Sequence, residues 1–300
     1  MDILEISHVS KSFGSNKVID DLSFSVPEHS VFGFIGKNGA GKTTTMKMVL
    51  GLLKADEGEI FVNGEKVSFG QNHTNRFIGY LPDVPEFYGF MTPMEYLMMC
   101  GEITGMPGKQ VKEKSAELLQ LVGLAEAKKR IRGFSRGMKQ RMGIAQALLN
   151  SPRLLICDEP TSALDPIGRK EILDILHSVK KHTTVIFSTH ILSDVERICD
   201  RIAFLHEGSS VRSRTLEEIR GIRRGDGIVV EFLKQEEASH FLELYGDGAQ
   251  GEGTMVTVYD RAGNAMDRIM EVLLYNHISV QRIERLEPTL EDLFLEVAAK

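Results

Sequence analysis

A run of glycines that ends in lysine and threonine carries the strongest chemical signal in the chain. Residues 36–43 read Gly-Lys-Asn-Gly-Ala-Gly-Lys-Thr, which is the pattern G-x-x-x-x-G-K-T. Glycines let the backbone curl until successive N–H groups face one oxyanion, and a helix that begins at the loop adds its positive end. Lys42 is expected to reach the outer phosphates of a nucleotide, and Thr43 to ligate Mg²⁺. A chance glycine turn is the alternative, but it does not explain the apolar segment before the loop.

A second signal is an apolar run that ends in two acids. The run Leu-Leu-Ile-Cys over residues 154–157 is followed by Asp158 and Glu159. Asp158 is placed to hold Mg²⁺ through water, and Glu159 to polarise an attacking water one residue further on. A strand that merely reaches solvent produces the same pattern, so this interpretation depends on the glycine loop.

The elements predicted around these residues alternate between strand and helix. An almost uninterrupted apolar run over residues 31–35 predicts a buried parallel strand, and a helix-compatible stretch covers 42–52. Further strands are predicted over 78–82, 154–157 and 185–188, and further helices over 137–149 and 167–180. Elements of this length and order predict an α/β fold with a mostly parallel, wrapped sheet.

Two regions depart from that alternation. Residues 3–9 and 23–26 predict edge strands of an antiparallel sheet, and 58–64 predict a hairpin strand that ends at Asn63-Gly64. Helical periodicity from Pro93 to Val122, interrupted at 105–108, predicts a helical insert over about 92–134.

A glycine-rich, charged segment at 221–227 predicts a linker between a first domain, 1–220, and a small α+β domain, 228–300. In the second domain, strands are predicted over 228–233, 254–259 and 279–286, and helices over 236–245 and 265–276. A short terminal helix is predicted from Pro288-Thr289, with Asp292 close to a capping box.

Composition excludes several classes of protein. The 300 residues carry a net charge of −6, which disfavours general binding to nucleic acid. The three cysteines, Cys100, Cys157 and Cys199, form no C-x-x-C pair, which indicates a reducing compartment and disfavours zinc. The N-terminus has no signal-peptide pattern, and no apolar run reaches the ~18 residues of a membrane helix. Any membrane spans are therefore expected in other chains.

Further motifs complete a family resemblance over residues 3–212. A signature-like segment spans 134–141, with the sequence Phe-Ser-Arg-Gly-Met-Lys-Gln-Arg. Residues 161–165, Thr-Ser-Ala-Leu-Asp, match a D-loop, and Ser188-Thr189-His190 matches a switch histidine after a strand. Phe13-Gly14, with Val18 beyond, matches an aromatic loop that stacks on adenine. In this order and spacing the chain resembles the nucleotide-binding domain of ABC ATPases.

The resemblance implies a P-loop NTPase fold, with a RecA-like core, an antiparallel β subdomain and a helical subdomain. It implies two subunits that face head-to-tail and enclose two ATP molecules with Mg²⁺. The implied ATP-binding residues of one subunit are Phe13, Val18, Gly36, Asn38, Gly39, Ala40, Gly41, Lys42, Thr43 and Thr44. Ser135 and Gly137 of the other subunit are implied to cap the γ-phosphate.

The family also implies roles in hydrolysis. Glu159 corresponds to the catalytic base, and His190 to the residue that contacts the γ-phosphate. Lys42 completes the implied catalytic set, and Asp165 corresponds to the link between subunits. Because Glu159 and His190 are both present, a hydrolytically competent site is expected.

Two positions depart from the common family pattern. Asp83 stands where most members carry a glutamine that senses Mg²⁺ and the attacking water. An aspartate is shorter than glutamine and carries a charge. Whether Asp83 contacts the metal is therefore open. Arg136 replaces the first glycine of the signature pair. Two alternatives are open for this arginine, a solvated surface charge and a catalytic role.

These departures resemble the bacterial ABC-2 subgroup of drug, bacteriocin and sodium exporters, as does the tail at 286–295. The resemblance implies a dimer at the inner, cytoplasmic face of the membrane, bound to an integral membrane permease subunit that provides the only membrane contact. Two competent half-sites favour a homodimer, and pairing with a related subunit stays open. It implies no nucleic-acid partner. The alternative is a soluble ABC-type ATPase acting on nucleic acid or ribosomes. One phosphate loop and the lack of a long coiled coil disfavour it.

Overall fold

The computed structural model describes residues 2–71, 73–206, 209–215, 218, 227–259 and 264–285. The chain divides into two compact units, Met1–Leu216 and Glu217–Lys300, and each is described by itself. Among the described residues, no helix is both long enough and apolar enough to cross a membrane.

The first unit alternates strands and helices along most of its length. In chain order its elements are β1 (Asp2–Phe13), β2 (Asn16–Pro27), β3 (Val31–Ile35), α1 (Lys42–Val49), β4 (Glu57–Val62), β5 (Glu65–Lys66), β6 (Ile78–Leu81), α2 (Pro93–Ile103), α3 (Gly108–Leu121), α4 (Arg136–Leu148), β7 (Leu154–Asp158), α5 (Pro166–Val179), β8 (Thr184–Thr189), α6 (Leu192–Ile198), β9 (Arg201–His206) and β10 (Ser209–Thr215). Short 3₁₀ turns cover His73–Phe77 and Ile131–Gly133.

A six-stranded sheet in the order β10-β9-β3-β8-β7-β6 forms the centre of this unit. All its neighbouring strands are parallel except β10, which runs antiparallel to β9. Strands β3, β7 and β8 are buried along their whole length, as their continuous apolar sequences predict. The predicted α/β fold with a parallel core is therefore confirmed.

A four-stranded sheet in the order β2-β1-β4-β5 lies beside this core. The prediction that β1 is an edge strand was wrong, because β1 pairs with β2 along one edge and with β4 along the other. The predicted turn at Asn63-Gly64 is confirmed, since it joins β4 to β5. Both turn residues have positive φ, 52° and 75°, as a tight hairpin requires.

The region after β6 is helical, with the predicted interruption between α2 and α3. Helix α2 begins with a capping box, in which Thr92 and Glu95 each satisfy the other's backbone N–H. The sequence did not indicate α6, β9 or β10. Helix α6 has only seven residues, and β9 pairs with the distant β3, so neither leaves a strong local pattern.

The second unit contains β11 (Gly227–Glu231), α7 (Gln235–Tyr245), β12 (Ala249–Glu252), β13 (Met255–Tyr259), α8 (Ala265–Tyr275) and β14 (Arg282–Arg285). Its antiparallel sheet has the order β12-β13-β11-β14, which is the split β-α-β-β-α-β arrangement. Val230 and Val258 of the sheet share a buried core with Phe241 and Ile269 of the helices.

Most predicted elements of this unit are confirmed, but β12 was not predicted. Gly227, predicted as the last linker residue, is the first residue of β11. The rest of the predicted linker, 221–226, lies outside the described residues. So does the predicted terminal helix from Pro288.

Candidate functional site

The glycine loop connects the end of β3 to the start of α1. Gly39 and Gly41 have φ of 84° and 106°, a region that side chains rarely allow. A Cβ on Gly41 would lie 2.4 Å from Cδ1 of Ile19, so only glycine fits there. The loop is anchored at its start, where Gly36 N–H donates to the carbonyl of Thr189 at 3.3 Å.

Lys42 begins α1 and turns its ammonium group back into the loop. Nζ donates to the carbonyl oxygen of Gly36 at 2.6 Å and to that of Lys37 at 3.2 Å. It also lies 3.1 Å from Oε1 of Glu159, and the lysine side chain is only 6% exposed. The loop and the end of β7 are therefore joined by a buried cation.

Thr43 and Asp158 form a second connection between the loop and β7. Thr43 Oγ1 donates to Asp158 Oδ2 at 2.7 Å, and Ser188 Oγ donates to Asp158 Oδ1 at 2.6 Å. Ser188 also accepts a hydrogen bond from the Glu159 N–H at 3.1 Å. No individual role was predicted for Ser188 from the sequence. Its place at the end of a buried strand, two residues before His190, was the available signal.

Glu159 occupies the turn immediately after β7, with a φ of 47°. Its Oε2 lies 3.0 Å from Nδ1 of His190, while Oε1 faces Lys42. The carboxylate, 13% exposed, thus lies between a lysine and a histidine. Such a group can accept a proton and hold a histidine in one orientation.

One cavity of about 330 Å³ is bordered by Lys42, Thr43, Glu159 and His190. Its walls are formed by Asn38, Gly39, Gly41, Lys42, Thr43, Thr44, Asp83, Glu159, Ser162 and His190. The structure therefore brings together most residues predicted for phosphate binding and hydrolysis. Ser162 joins them as a lining residue that the sequence analysis did not single out.

Two groups close to these carboxylates have raised pKa values. Burial raises the pKa of Tyr80 to about 12, and the negative charge of Asp158 contributes to the increase. Burial also raises the pKa of the Cys157 thiol, again with a contribution from Asp158. Both groups are therefore uncharged at neutral pH.

Several predicted site residues lie outside the cavity of this chain. Ser135 caps α4 by accepting from the Met138 N–H at 3.2 Å, and Gly137 lies in the first turn of that helix. Asp165 caps α5 by accepting from the Gly168 N–H at 2.7 Å. Phe13, at the end of β1, is 51% exposed. None of these four lines the cavity.

Two other predicted residues belong to the surroundings of the loop. Val18 lies behind it, because a Cβ on Gly41 would approach the Val18 carbonyl oxygen to 3.1 Å. Ala40 is part of the loop itself, and its N–H donates to the carbonyl of Lys37 at 3.1 Å.

Asp83 lies at the border between the cavity and α4. It lines the cavity, and its Oδ1 is 3.2 Å from Nη2 of Arg136. The backbone carbonyl of Asp83 accepts a hydrogen bond from Gln140 Nε2 at 2.6 Å. In the sequence, the substitutions at Asp83 and Arg136 are 53 residues apart, and no local pattern indicated the ion pair or the contribution of Gln140.

A buried carboxylate supports the turn that follows Glu159. Asp194 of α6 accepts a hydrogen bond from Thr161 Oγ1 at 2.6 Å, and another from Arg169 Nη2 at 2.7 Å. It therefore ties residues 161–165 and α5 to the helix that follows His190. No sequence pattern indicated this residue.

Comparisons with known proteins agree with this geometry. The family model for ABC transporters matches residues 19–162. An uncharacterized ABC transporter ATP-binding protein of Bacillus subtilis, YxlF, is 38% identical over 98% of this chain and 99% of its own length. The bacitracin transport ATP-binding protein BcrA of Bacillus licheniformis is 36% identical over 98% of this chain and 97% of its own.

A solved structure of an ATP-binding subunit of an ABC transporter is also similar. It is 33% identical, with a TM-score of 0.66, over 73% of this chain and 92% of that chain. The similarity thus extends from the motifs around the cavity to the backbone that positions them. With relatives of this identity that match along nearly their whole length, the chain belongs to the ATP-binding proteins of ABC transporters and is an ATPase.

Proposed function

We propose that this ATPase binds MgATP in the cavity between the glycine loop and β7 and works as a head-to-tail homodimer. Hydrolysis then drives export through a separate membrane-spanning permease. The observation that carries the proposal is the position of Glu159 between Lys42 and His190, beside the Thr43–Asp158 pair.

The residues that carry this reaction have separate tasks. The loop N–H groups and Lys42 bind the phosphates, with the positive end of α1 behind them. Glu159 accepts the proton of the attacking water, and His190, oriented by Glu159, contacts the γ-phosphate. A phosphate that enters the loop competes with Glu159 for Lys42, which leaves the carboxylate free to act as the base.

The oxygen atoms of Thr43 and Asp158 suit Mg²⁺, which prefers hard oxygen ligands. They are already adjacent, 2.7 Å apart, because the two residues share a hydrogen bond. Within the described residues, no cluster of three or more His, Cys, Asp or Glu could hold a metal by itself. Mg²⁺ commonly binds through few protein ligands, with water and substrate phosphates. When bound, it would neutralise the charge of the phosphates.

The exposed start of α4 supports the proposed dimer. Ser135 is exposed there, outside its own subunit's cavity, and the positive end of a 13-residue helix lies beside it. In the head-to-tail arrangement, Ser135 and Gly137 cap the γ-phosphate bound to the other subunit, and Asp165 connects the two sites.

We further propose that 1–220 is the ATPase domain, with the helical insert at 92–134, and that 221–227 links it to an accessory domain at 228–300.

Exposed apolar side chains in the segment that follows Asp83 support a permease partner. Val84, Tyr88 and Phe90 are 63%, 56% and 62% exposed, and the rings of Tyr88 and Phe90 stack. Aromatic side chains of this kind are enriched at protein interfaces.

The proposed location is the cytoplasmic face of the membrane, where such a partner presents its loops. The relative named for bacitracin transport supports a cargo of the drug or peptide type.

The proposal is tested by capture from native membranes. Tagged Glu159→Gln protein, with ATP, is used to recover partners from detergent extracts for mass spectrometry. A second sample carries Val84→Asp and Phe90→Asp in addition. A matched control carries Leu52→Asp instead, since Leu52 is also 63% exposed.

We expect one polytopic membrane protein with the Glu159→Gln sample and with the Leu52→Asp control, and its loss with the Val84→Asp/Phe90→Asp sample. Recovery of ribosomal or DNA-associated proteins in its place would contradict the transport function, although the ATPase would stand.

A further inference from the structure

One face of α4 holds the segment 81–85 at three positions. Arg136, Gln140 and Gly143 are spaced i, i+4 and i+7 and so lie along one side of the helix. The first pairs with the Asp83 carboxylate at 3.2 Å, and the second donates to the Asp83 carbonyl at 2.6 Å. At the third position, a Cβ on Gly143 would lie 2.4 Å from Cδ1 of Leu81, so the helix and the segment are in close contact.

The two polar contacts with Asp83 differ in their environment. Gln140 is fully buried, so its hydrogen bond to the backbone is part of the packed interior. The side chains of Arg136 and Asp83 are 43% and 45% exposed. Exposed ion pairs contribute little to folding stability. The packing of this segment therefore depends on Gln140 and Gly143 and does not require Arg136.

A role for Arg136 follows from the negative charge at the phosphate cavity. Two carboxylates line it, Asp83 and Glu159, and a third, Asp158, is hydrogen-bonded to the lining residue Thr43. Asp158 accepts from two hydroxyl groups, and Glu159 contacts Lys42 and His190. Among the described residues, Arg136 is the cation paired with Asp83. Without it, a carboxylate at the cavity wall would repel the phosphates of a nucleotide.

Building on the proposed ATP-binding function, we propose that Arg136 is a positioning residue. It holds the Asp83 carboxylate on α4 and neutralises it, so that phosphates can enter the cavity of the same subunit. The substitutions at these two positions then form one compensating pair. They also connect the cavity to α4, the helix whose start is proposed to contact the nucleotide of the other subunit.

The test is a double-mutant cycle on nucleotide affinity, measured by isothermal titration calorimetry. The probe is ADP in EDTA, because ADP lacks the γ-phosphate that the second subunit is proposed to contact and no divalent cation then shields the carboxylates. The variants are Arg136→Ala, Asp83→Asn and the two combined. Arg136→Lys keeps the positive charge and serves as the matched control. Circular dichroism checks that each variant is folded.

We expect Arg136→Ala to weaken ADP binding roughly threefold to fivefold at low salt, the size of an exposed charge interaction. In the Asp83→Asn background the same change should have no effect, and Arg136→Lys should resemble the wild type. The loss should also shrink at about 0.5 M KCl, because salt screens exposed charges. A packing defect would not respond in this way.

Two results would overturn the inference. One is an unchanged affinity in Arg136→Ala. The other is an equal loss in the Asp83→Asn background, which would mean that Arg136 attracts the phosphates directly. Failure of the wild-type protein to bind ADP is a different result, since it would contradict the proposed ATP-binding site itself.

Discussion

The ammonium group of Lys42 lies 3.1 Å from the carboxylate of Glu159, and both side chains are largely buried. The two residues come from separate elements, since Lys42 begins α1 and Glu159 follows β7. Each charge is balanced by the other, which is necessary because a buried, unpaired charge is costly. In the proposed function, a phosphate group in the loop gives Lys42 a new partner. The state of the nucleotide is thereby connected to the availability of the proposed base.

We predict that Glu159→Gln loses hydrolysis but retains ATP binding. The amide keeps the size of the side chain but cannot accept the proton of the attacking water. General base catalysis typically contributes 10²–10⁴-fold, so phosphate release should fall by at least about a hundredfold. Affinity for ATP, measured by calorimetry, should stay within about threefold of the wild type on the same reasoning. Glu113→Gln, on the exposed side of α3, is the control. Hydrolysis at the wild-type rate would show that Glu159 is not the base.

We predict that Lys42→Ala strongly weakens ATP binding. The change removes the cation that reaches the phosphates and leaves the Glu159 carboxylate without its ion-pair partner, so repulsion is added to the lost attraction. A loss of at least about tenfold in affinity is expected, equivalent to about 1.4 kcal/mol. Lys47→Ala alters an exposed lysine of the same helix and should leave binding unchanged. Equal affinities for the two variants would contradict the assignment of the phosphate loop.

We predict that Ser188→Ala lowers both stability and turnover. The hydroxyl donates to Asp158 and accepts from the N–H of Glu159, and its residue is fully buried. Loss of a buried partner costs about 1–3 kcal/mol, which urea denaturation can measure. Turnover should fall in addition, because Asp158 and Glu159 lose the contact that orients them. Ser178→Ala, at an exposed helical serine, is the control. Normal turnover in Ser188→Ala would limit the serine to a structural role.

We predict that Gly79→Ala destabilises the first unit. A Cβ at this position in β6 would lie 2.1 Å from the carbonyl oxygen of Ala147, so the backbone of α4 would have to move. Overpacking of this kind costs about 1–3 kcal/mol in free energy of unfolding. Gly108→Ala is the matched control, because nothing lies within 4 Å of a Cβ there. Equal denaturation midpoints for the two variants would show that β6 and α4 are not packed as described.

Local sequence was sufficient to predict a structural feature wherever the physical cause of that feature acts within a few residues. The glycines at 39 and 41 are needed by the curl of their own loop, and β3 and β7 are continuous apolar runs because both faces of a central parallel strand are buried. The hairpin at Asn63-Gly64 follows from turn chemistry. These features, with the family resemblance, predicted the fold class and the residues around the cavity.

Other features depend on residues that are far apart in the chain. The position of β1 between β2 and β4 could not be predicted, because each strand's pattern reports its buried face and not its neighbours. The same is true of Asp194 beneath the turn at 161–165, and of Ser188 beside Asp158.

The sequence by itself determined that the chain has a glycine loop of the G-x-x-x-x-G-K-T pattern, an acidic strand end and a parallel core, because these are properties of short, contiguous segments. Only the tertiary structure decided which charges meet. Asp83 and Arg136 look like two unrelated substitutions when the chain is read in order. They become one ion pair because α4 packs against β6 and the segment that follows it.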